Sequence, residues 1–186
     1  LFEFEHEGQK IGIIGRAVGA SFAVLLAEQL FASGCKLLLS MTSSGQLVQP
    51  MDPPYFILIE KSIRDEGTSY HYLAPSQFSF LNKDLKEKLN NAFNDLDIKI
   101  FTGSTWTTDA PYRETAESID LYKSIGIHAV EMEAAALYAF AQARNNNVIC
   151  FAHVTNQMAS VAGDFEKGEH NGSKDALQVL SAAING

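Results

Sequence analysis

Apolar residues along this chain come in short runs rich in isoleucine and valine, separated by stretches in which they recur at helical spacing. That alternation is the signature of strands joined by helical crossovers. Lys10–Ile14 reads as a strand, Gly15–Ala20 as a glycine-bearing turn, and Ser21 as the N-cap of a helix that runs through Phe31 and stops at Gly34. Lys36–Ser40 returns as a buried strand, Thr42–Gly45 is a polar loop, and Tyr55–Ile63 is the next strand, ending in the loop Arg64–Ser69. Asn82–Phe93 carries Leu85 and Leu89 among charges, as an amphipathic surface helix does. Further along, Ile98–Gly103 is predicted as a strand, Thr115–Ile125 as a helix, Ala129–Glu131 as a short strand and Val148–Thr155 as a central strand. Ala134–Arg144 is apolar nearly all round, which predicts a buried helix. Ser160–Gly172, glycine-rich and charged, reads as a flexible loop before a closing helix over Ser173–Ile184. No repeat or interdomain linker interrupts the pattern. The expected fold is α/β, a three-layer α/β/α sandwich around a mixed, mostly parallel sheet, formed by residues 1–186 as a single domain.

Composition narrows the functional classes. At 186 residues and 46% hydrophobic content the chain is long enough for a sizeable core. It holds no run of about eighteen apolar residues and no basic leader before an apolar segment, so a membrane span and export are not expected and the cytoplasm is the predicted location. The two cysteines, Cys35 and Cys150, lie far apart in apolar runs, as buried thiols do. With a net charge of -8 and scattered basic residues, nucleic acid is not an expected partner. The chain starts at Leu1 and enters strand-like sequence at once, from which a missing N-terminal portion is expected.

Two places carry candidate chemistry. The glycine turn after the first strand invites a dinucleotide reading, but Gly12, Gly15 and Gly19 miss the G-x-G-x-x-G order of such a site, and no acidic residue ends the second strand. A strand, a glycine turn and a helix N-terminus can still favour a single phosphate; glycines chosen for close packing are the equally open alternative. The segment Val130-Glu131-Met132-Glu133-Ala134-Ala135 places two carboxylates where a strand passes into a buried helix. They are either first-turn residues favoured by the helix dipole or acceptors for the hydroxyls of a diol.

Val130–Ala135 resembles the signature of the nucleoside phosphorylase family, which includes uridine and purine nucleoside phosphorylases and related nucleosidases. Gly15–Ser21 is similar to its glycine loop, Ser43-Ser44-Gly45 to its second phosphate loop, Arg64–Ser69 to the loop after the next strand, and Thr107–Glu114 to its base-side segment. The resemblance runs from about Gly8 onward and implies the phosphorylase/hydrolase-like form of the α/β fold.

It also implies roles. Met132 would pack under ribose and Glu133 would accept hydrogen bonds from its hydroxyls, making Glu133 the catalytic carboxylate that stabilises positive charge on the sugar as the glycosidic bond breaks. Glu131 is then structural. Phosphate would be held by Gly19, Ser43 and a candidate arginine, Arg16, for which a solvent-facing role is the alternative. The pattern is incomplete: Ser40 stands where the family has an arginine, Thr42 where it has a glycine, and Pro54-Tyr55 where it has Gly-Asp. A serine does not replace the charge and planar fork of arginine, which predicts weak phosphate affinity.

On the base side Tyr112 would stack on the nucleobase and Arg113 would bond its carbonyl edge, with an ordinary turn and a surface arginine paired to Glu114 as the alternative. Asn156 occupies the position where purine-specific relatives place a proton-donating aspartate, and an asparagine is no general acid, so the resemblance is closer to the pyrimidine branch. His71 and His153 read as packed histidines, and no metal spacing is present. The implied activity is phosphorolysis of a nucleoside to free base and ribose 1-phosphate, with phosphate as co-substrate and no cofactor, in a homo-oligomer built from dimers. A hydrolytic nucleosidase and a non-catalytic nucleoside-binding relative remain as alternatives.

Overall fold

The computed structural model describes residues 1–156 and 172–186. The loop expected over Ser160–Gly172 lies, up to residue 171, outside the described residues. In chain order the elements are β1 (Phe2–His6), β2 (Gln9–Ile13), α1 (Ala20–Ala32), β3 (Leu38–Gln46), β4 (Tyr55–Asp65), β5 (Phe78–Phe80), α2 (Lys83–Lys88), β6 (Ile100–Thr108), α3 (Ala116–Ser124), β7 (Ala129–Glu131), α4 (Ala134–Arg144), β8 (Val148–Asn156) and α5 (Ser173–Asn185). Among the described residues no helix is long and apolar enough to cross a membrane.

The α/β class holds, with a mixed sheet in the order β5-β4-β6-β7-β3-β8. The long ladders β3–β8 and β4–β6 are parallel, while β4 also meets β8 antiparallel through Tyr55↔Val154 to Leu58↔Phe151. That extra pairing closes β3, β8, β4, β6 and β7 into a ring, so the central layer is curled rather than the flat one an open sandwich has. Helices still cover two faces. Helix α4 packs with α1 over a cluster that includes Ile57, Ile59 and Val148, whereas Tyr122 and Ile119 of α3 lie on Ile63, Trp106 and Val130.

Why these residues form these elements is clearest at the centre. Tyr55–Ile59 is buried throughout, as a strand covered on both faces must be, and so it reads as an unbroken apolar run. Alanines at 134, 135, 136, 139 and 141 keep α4 slim, and Ala20, Ala23 and Ala27 do the same for α1, which lets the two helices approach closely. Gly103 on β6 answers to the same crowding, because a Cβ there would stand 3.0 Å from Ile57 Cγ2.

Three local expectations change. The strand expected at Lys10–Ile14 is β2, but it pairs only with β1 in a separate two-stranded sheet, turned by Glu7 and Gly8, both with positive φ. The polar stretch Thr42–Gly45 is not a loop: β3 continues through it, because β8 offers a pairing partner at each step from Thr42↔Ala152 to Ser44↔Val154. The helix expected over Asn82–Phe93 ends at Lys88 and tightens into a 3-10 turn at Leu89–Asn91, where two asparagines weaken helix propensity. Asn82 caps it as expected of such a residue, its side chain accepting from the N–H groups of Asp84 and Leu85.

The ring has a seam. β4 and β8 part after Leu58↔Phe151, and β4 bulges between Ile59 and Lys61 against β6. Tyr138 of α4 fills the gap: its hydroxyl donates to the Ile59 carbonyl and accepts from the Cys150 N–H at 3.0 Å. Both backbone groups are buried and need that partner. Tyr138→Phe keeps the ring and orphans both, so it should lower the free energy of unfolding by about 2 kcal/mol or more. Urea denaturation of the two proteins measures this; a difference below about 0.5 kcal/mol would show that the seam is satisfied in some other way.

Candidate active site

Strand β7 ends at Glu131 and α4 begins at Ala134, so both carboxylates of the Glu-Met-Glu segment sit at a helix N-terminus. A helix start leaves N–H groups without internal partners. Glu131, 3% exposed, answers that need: its Oε2 accepts the N–H groups of Glu133 and Ala134, each at 2.7 Å. Its Oε1 accepts hydroxyls from Ser62 of β4 at 3.2 Å and from Thr105 and Thr107 of β6. Thr107 Oγ1 in turn accepts the Ala135 N–H at 2.9 Å. Glu131 thereby pins α4 to two strands, the structural role expected of it.

Glu133 occupies the N-cap position of α4 and is 4% exposed. Its side chain turns away from its own helix toward another. Oε1 accepts the Gly19 N–H at 2.6 Å, and Oε2 accepts the Thr42 hydroxyl at 2.7 Å and the Met132 N–H at 3.3 Å. Gly19 is the N-cap of α1, with φ 91° and ψ 146°, a conformation open to glycine. The cap therefore falls two residues before Ser21, where it was expected. The carboxylate lies between the N-termini of two helices, whose dipoles favour negative charge. Among the described residues no lysine, arginine or histidine forms an ion pair with it. Glu133 is a buried side chain held by neutral donors, and Met132 beside it is half-buried.

The residues expected to bind phosphate are placed less favourably. The Gly19 N–H, in the turn expected to hold phosphate, donates to Glu133. Arg16 is exposed, in a left-handed backbone conformation with φ 63°. Ser43 is exposed on β3, its hydroxyl 3.3 Å from that of Thr155. Ser40, paired with Cys150, sits half-buried in the same strand.

On the other side of Glu131, β4 and β6 end in register, Arg64 opposite Thr107 and Asp65 opposite Thr108. Beyond them opens a cleft of about 500 Å³ whose walls include Arg64, Asp65, Glu66, Tyr70, Asp109 and Arg113. Arg113 lines this cleft, whose walls include neither Met132 nor Glu133. Tyr112 is 99% exposed on the 3-10 turn Pro111–Arg113 and lies outside the cleft wall. Asn156 ends β8, opposite Gly45 of β3, and its side chain lies outside the described residues.

Arg64, which opens the loop Arg64–Ser69, also lines this cleft and was not named as a binding residue. It is buried, with Nε donating to Ser69 Oγ at 2.8 Å and Nη1 to Ala74 O at 2.8 Å and Ser76 Oγ at 2.7 Å. Its guanidinium lies 4.4 Å from the centroid of the Tyr70 ring. A lone arginine at the end of an apolar strand was the available signal. Of the two histidines, His153 is buried and stacked on Phe56 at 4.5 Å, as expected, while His71 is exposed rather than packed. Among the described residues no group of three or more His, Cys, Asp or Glu side chains is arranged to hold a metal ion.

Comparison with known proteins supplies a family and a fold. The model of the phosphorylase superfamily matches residues 1–185. A guanosine phosphorylase of Halorubrum lacusprofundi is 27% identical over 137 residues, 74% of this chain and 57% of that protein. A DeoD-type purine nucleoside phosphorylase of Psychromonas ingrahamii is 24% identical over 159 residues, 84% of this chain and 67% of the relative. The chain therefore spans 57 to 67% of the length of these two relatives. Among solved structures, a purine nucleoside phosphorylase from Toxoplasma gondii in complex with immucillin-H aligns with a TM-score of 0.83 at 17% identity, covering 98% of this chain and 77% of the other. A uridine phosphorylase from Vibrio fischeri complexed with 6-hydroxy-1-naphthoic acid aligns with a TM-score of 0.78 at 20% identity, covering 98% and 74%. These likenesses establish a shared fold.

Burial pushes the Glu131 carboxyl up from 4.5 to about 7, with the neighbouring Glu133 charge as the second cause; its hydrogen bonds from Thr107, Ala134 and Glu133 pull the other way. Between pH 4.5 and 7 the folded chain holds this proton more firmly than the unfolded one, so the contribution of Glu131 to stability declines as pH rises through that window and is level above it. The decline is on the order of 3 kcal/mol. Glu131→Gln cannot ionise and lacks it. The stability difference between wild type and variant, followed by denaturation from pH 5 to 8, should shrink steadily up to about pH 7; a difference independent of pH would contradict this assignment.

Proposed function

Because the chain belongs to the phosphorylase superfamily, we propose that it is a nucleoside phosphorylase-like glycosyltransferase in which Glu133 binds the sugar and a phosphate oxygen attacks its anomeric carbon. The N-glycosidic bond breaks with its electron pair leaving on the base, and the products are free base and the 1-phosphate of the sugar. The observation that carries this reading is Glu133 itself, a buried carboxylate held between two helix N-termini by neutral donors, with Met132 half-buried beside it. Departure of the base builds positive charge on the sugar. A carboxylate already fixed in a low-dielectric site stabilises that charge without reorganising, and its hydrogen bonds to sugar hydroxyls orient the anomeric carbon.

The substrate class is a nucleoside, without a choice between pyrimidine and purine. The pyrimidine preference expected from Asn156 rests on a side chain outside the described residues, and the relatives include guanosine, purine and uridine phosphorylases. The reading brings with it a homo-oligomer and phosphate as co-substrate. Arg113 at the cleft beyond β4 and β6 is the candidate for the base edge.

A second reading, hydrolysis with water as nucleophile on the same scaffold, is favoured by the phosphate side. Ser40 carries no charge, Arg16 is exposed, and the Gly19 N–H is already engaged. Base release from a panel of pyrimidine and purine nucleosides, with and without phosphate, separates the readings. Phosphate-dependent release supports the transferase, phosphate-independent release supports the nucleosidase, and binding without turnover removes catalysis. Glu133→Gln keeps the shape and loses the charge, so it should lower kcat by more than about tenfold with a smaller change in KM. An unchanged kcat would exclude Glu133 from the chemistry.

A further inference from the structure

A carboxylate offers about four acceptor positions, and three of those on Glu133 are filled. Gly19 donates to Oε1; Thr42 and Met132 donate to Oε2. Two of these donors are backbone N–H groups whose place is set by the start of α1 and by the chain itself. The third is a hydroxyl, which can rotate. We propose that Thr42 is the residue that sets sugar selectivity at this site: its hydroxyl holds the acceptor position a second vicinal sugar hydroxyl would need, so the site favours 2′-deoxyribonucleosides over ribonucleosides. The inference rests on the reading that Glu133 receives the sugar.

The geometry of Thr42 makes the competition steep. The residue lies inside β3, paired with Ala152, and its branched Cβ restricts the direction of the hydroxyl. The bond to Glu133 Oε2 is short, 2.7 Å, and charge-assisted. Its other acceptor, the Ser43 carbonyl, lies at 3.4 Å, beyond a good hydrogen bond. Releasing Oε2 to a ligand therefore exchanges a strong bond for a poor one. A ligand that presents one hydroxyl can use the remaining acceptor position and leave Thr42 undisturbed. A ligand that presents two must displace it.

Removing the hydroxyl removes the competition. Thr42→Val keeps the branched shape in a half-buried strand position and leaves Oε2 with Met132 alone. Thr42→Ser restores the donor. The test is kcat/KM for matched pairs, uridine with 2′-deoxyuridine and inosine with 2′-deoxyinosine, for wild type and both variants. Calorimetric binding of the same four nucleosides reads the same selectivity without turnover.

Wild type and Thr42→Ser should prefer the deoxy member of each pair, and Thr42→Val should raise the ribo-to-deoxy ratio by about tenfold, the equivalent of one charge-assisted hydrogen bond. A ratio in Thr42→Val equal to that of wild type, with nucleosides bound, overturns the inference and leaves the sugar-binding reading of Glu133 standing. Absence of binding of all four nucleosides to wild type and variants overturns that reading and the inference with it. Binding without turnover, with the ratio shifted as stated, supports the inference while removing catalysis.

Discussion

Two glutamates, separated by one residue and both withdrawn from water, need donors on every side, and the centre of this protein is arranged around meeting that need. An ionised carboxylate in an apolar interior is costly unless its oxygens are bonded. Glu131 gathers hydroxyls from β4 and β6 and the first N–H groups of α4. Glu133 gathers the N–H of Gly19, the N-cap of α1, and a hydroxyl of β3. Four elements distant in the chain are thereby tied to one three-residue segment. The donors differ in burial: the hydroxyls on Glu131 come from buried Ser62, Thr105 and Thr107, while the one hydroxyl on Glu133 comes from half-buried Thr42.

The same arrangement bears on the anion that a phosphorylase requires. A helix N-terminus attracts any negative group, and here the start of α1 already faces the carboxylate of Glu133. Sugar-directed and phosphate-directed demands on α1 compete, and Ser40 adds no charge to the phosphate side. This is the physical reason for keeping phosphorolysis and hydrolysis both in view under the proposed reading.

Precision at this segment depends on the curl of the sheet. The β4–β8 pairing closes the ring, and Tyr138 bridges the two backbone groups left where those strands part. Helix α4 is therefore held at its start by Glu131 and in its middle by Tyr138, with alanines between that bring it close to α1 and the strands. A segment held this way keeps a carboxylate in one orientation, which electrostatic catalysis needs.

Local pattern made much of this legible. The bounds of β7 and α4, Ala129–Glu131 and Ala134–Arg144, follow directly from a short apolar run and an all-apolar helical stretch. The unusual pairing of Glu131 with Glu133 at that junction drew notice to the segment, and the resemblance to nucleoside phosphorylases agrees with the family match. What local pattern missed shares one cause. The continuation of β3 through polar Thr42–Gly45, the isolation of the β1–β2 hairpin, the exposure of Tyr112 and the curl of the sheet all depend on which distant strand or helix lies alongside. The bond between Thr42 and Glu133 joins residues 91 positions apart, and that between Gly19 and Glu133 spans 114. Sequence by itself determined which side chains carry charge and which stretches must be buried, because these follow from composition and periodicity. Only the tertiary structure decided which donor meets which acceptor, because hydrogen bonds act over about 3 Å and the chain's order says nothing about that distance.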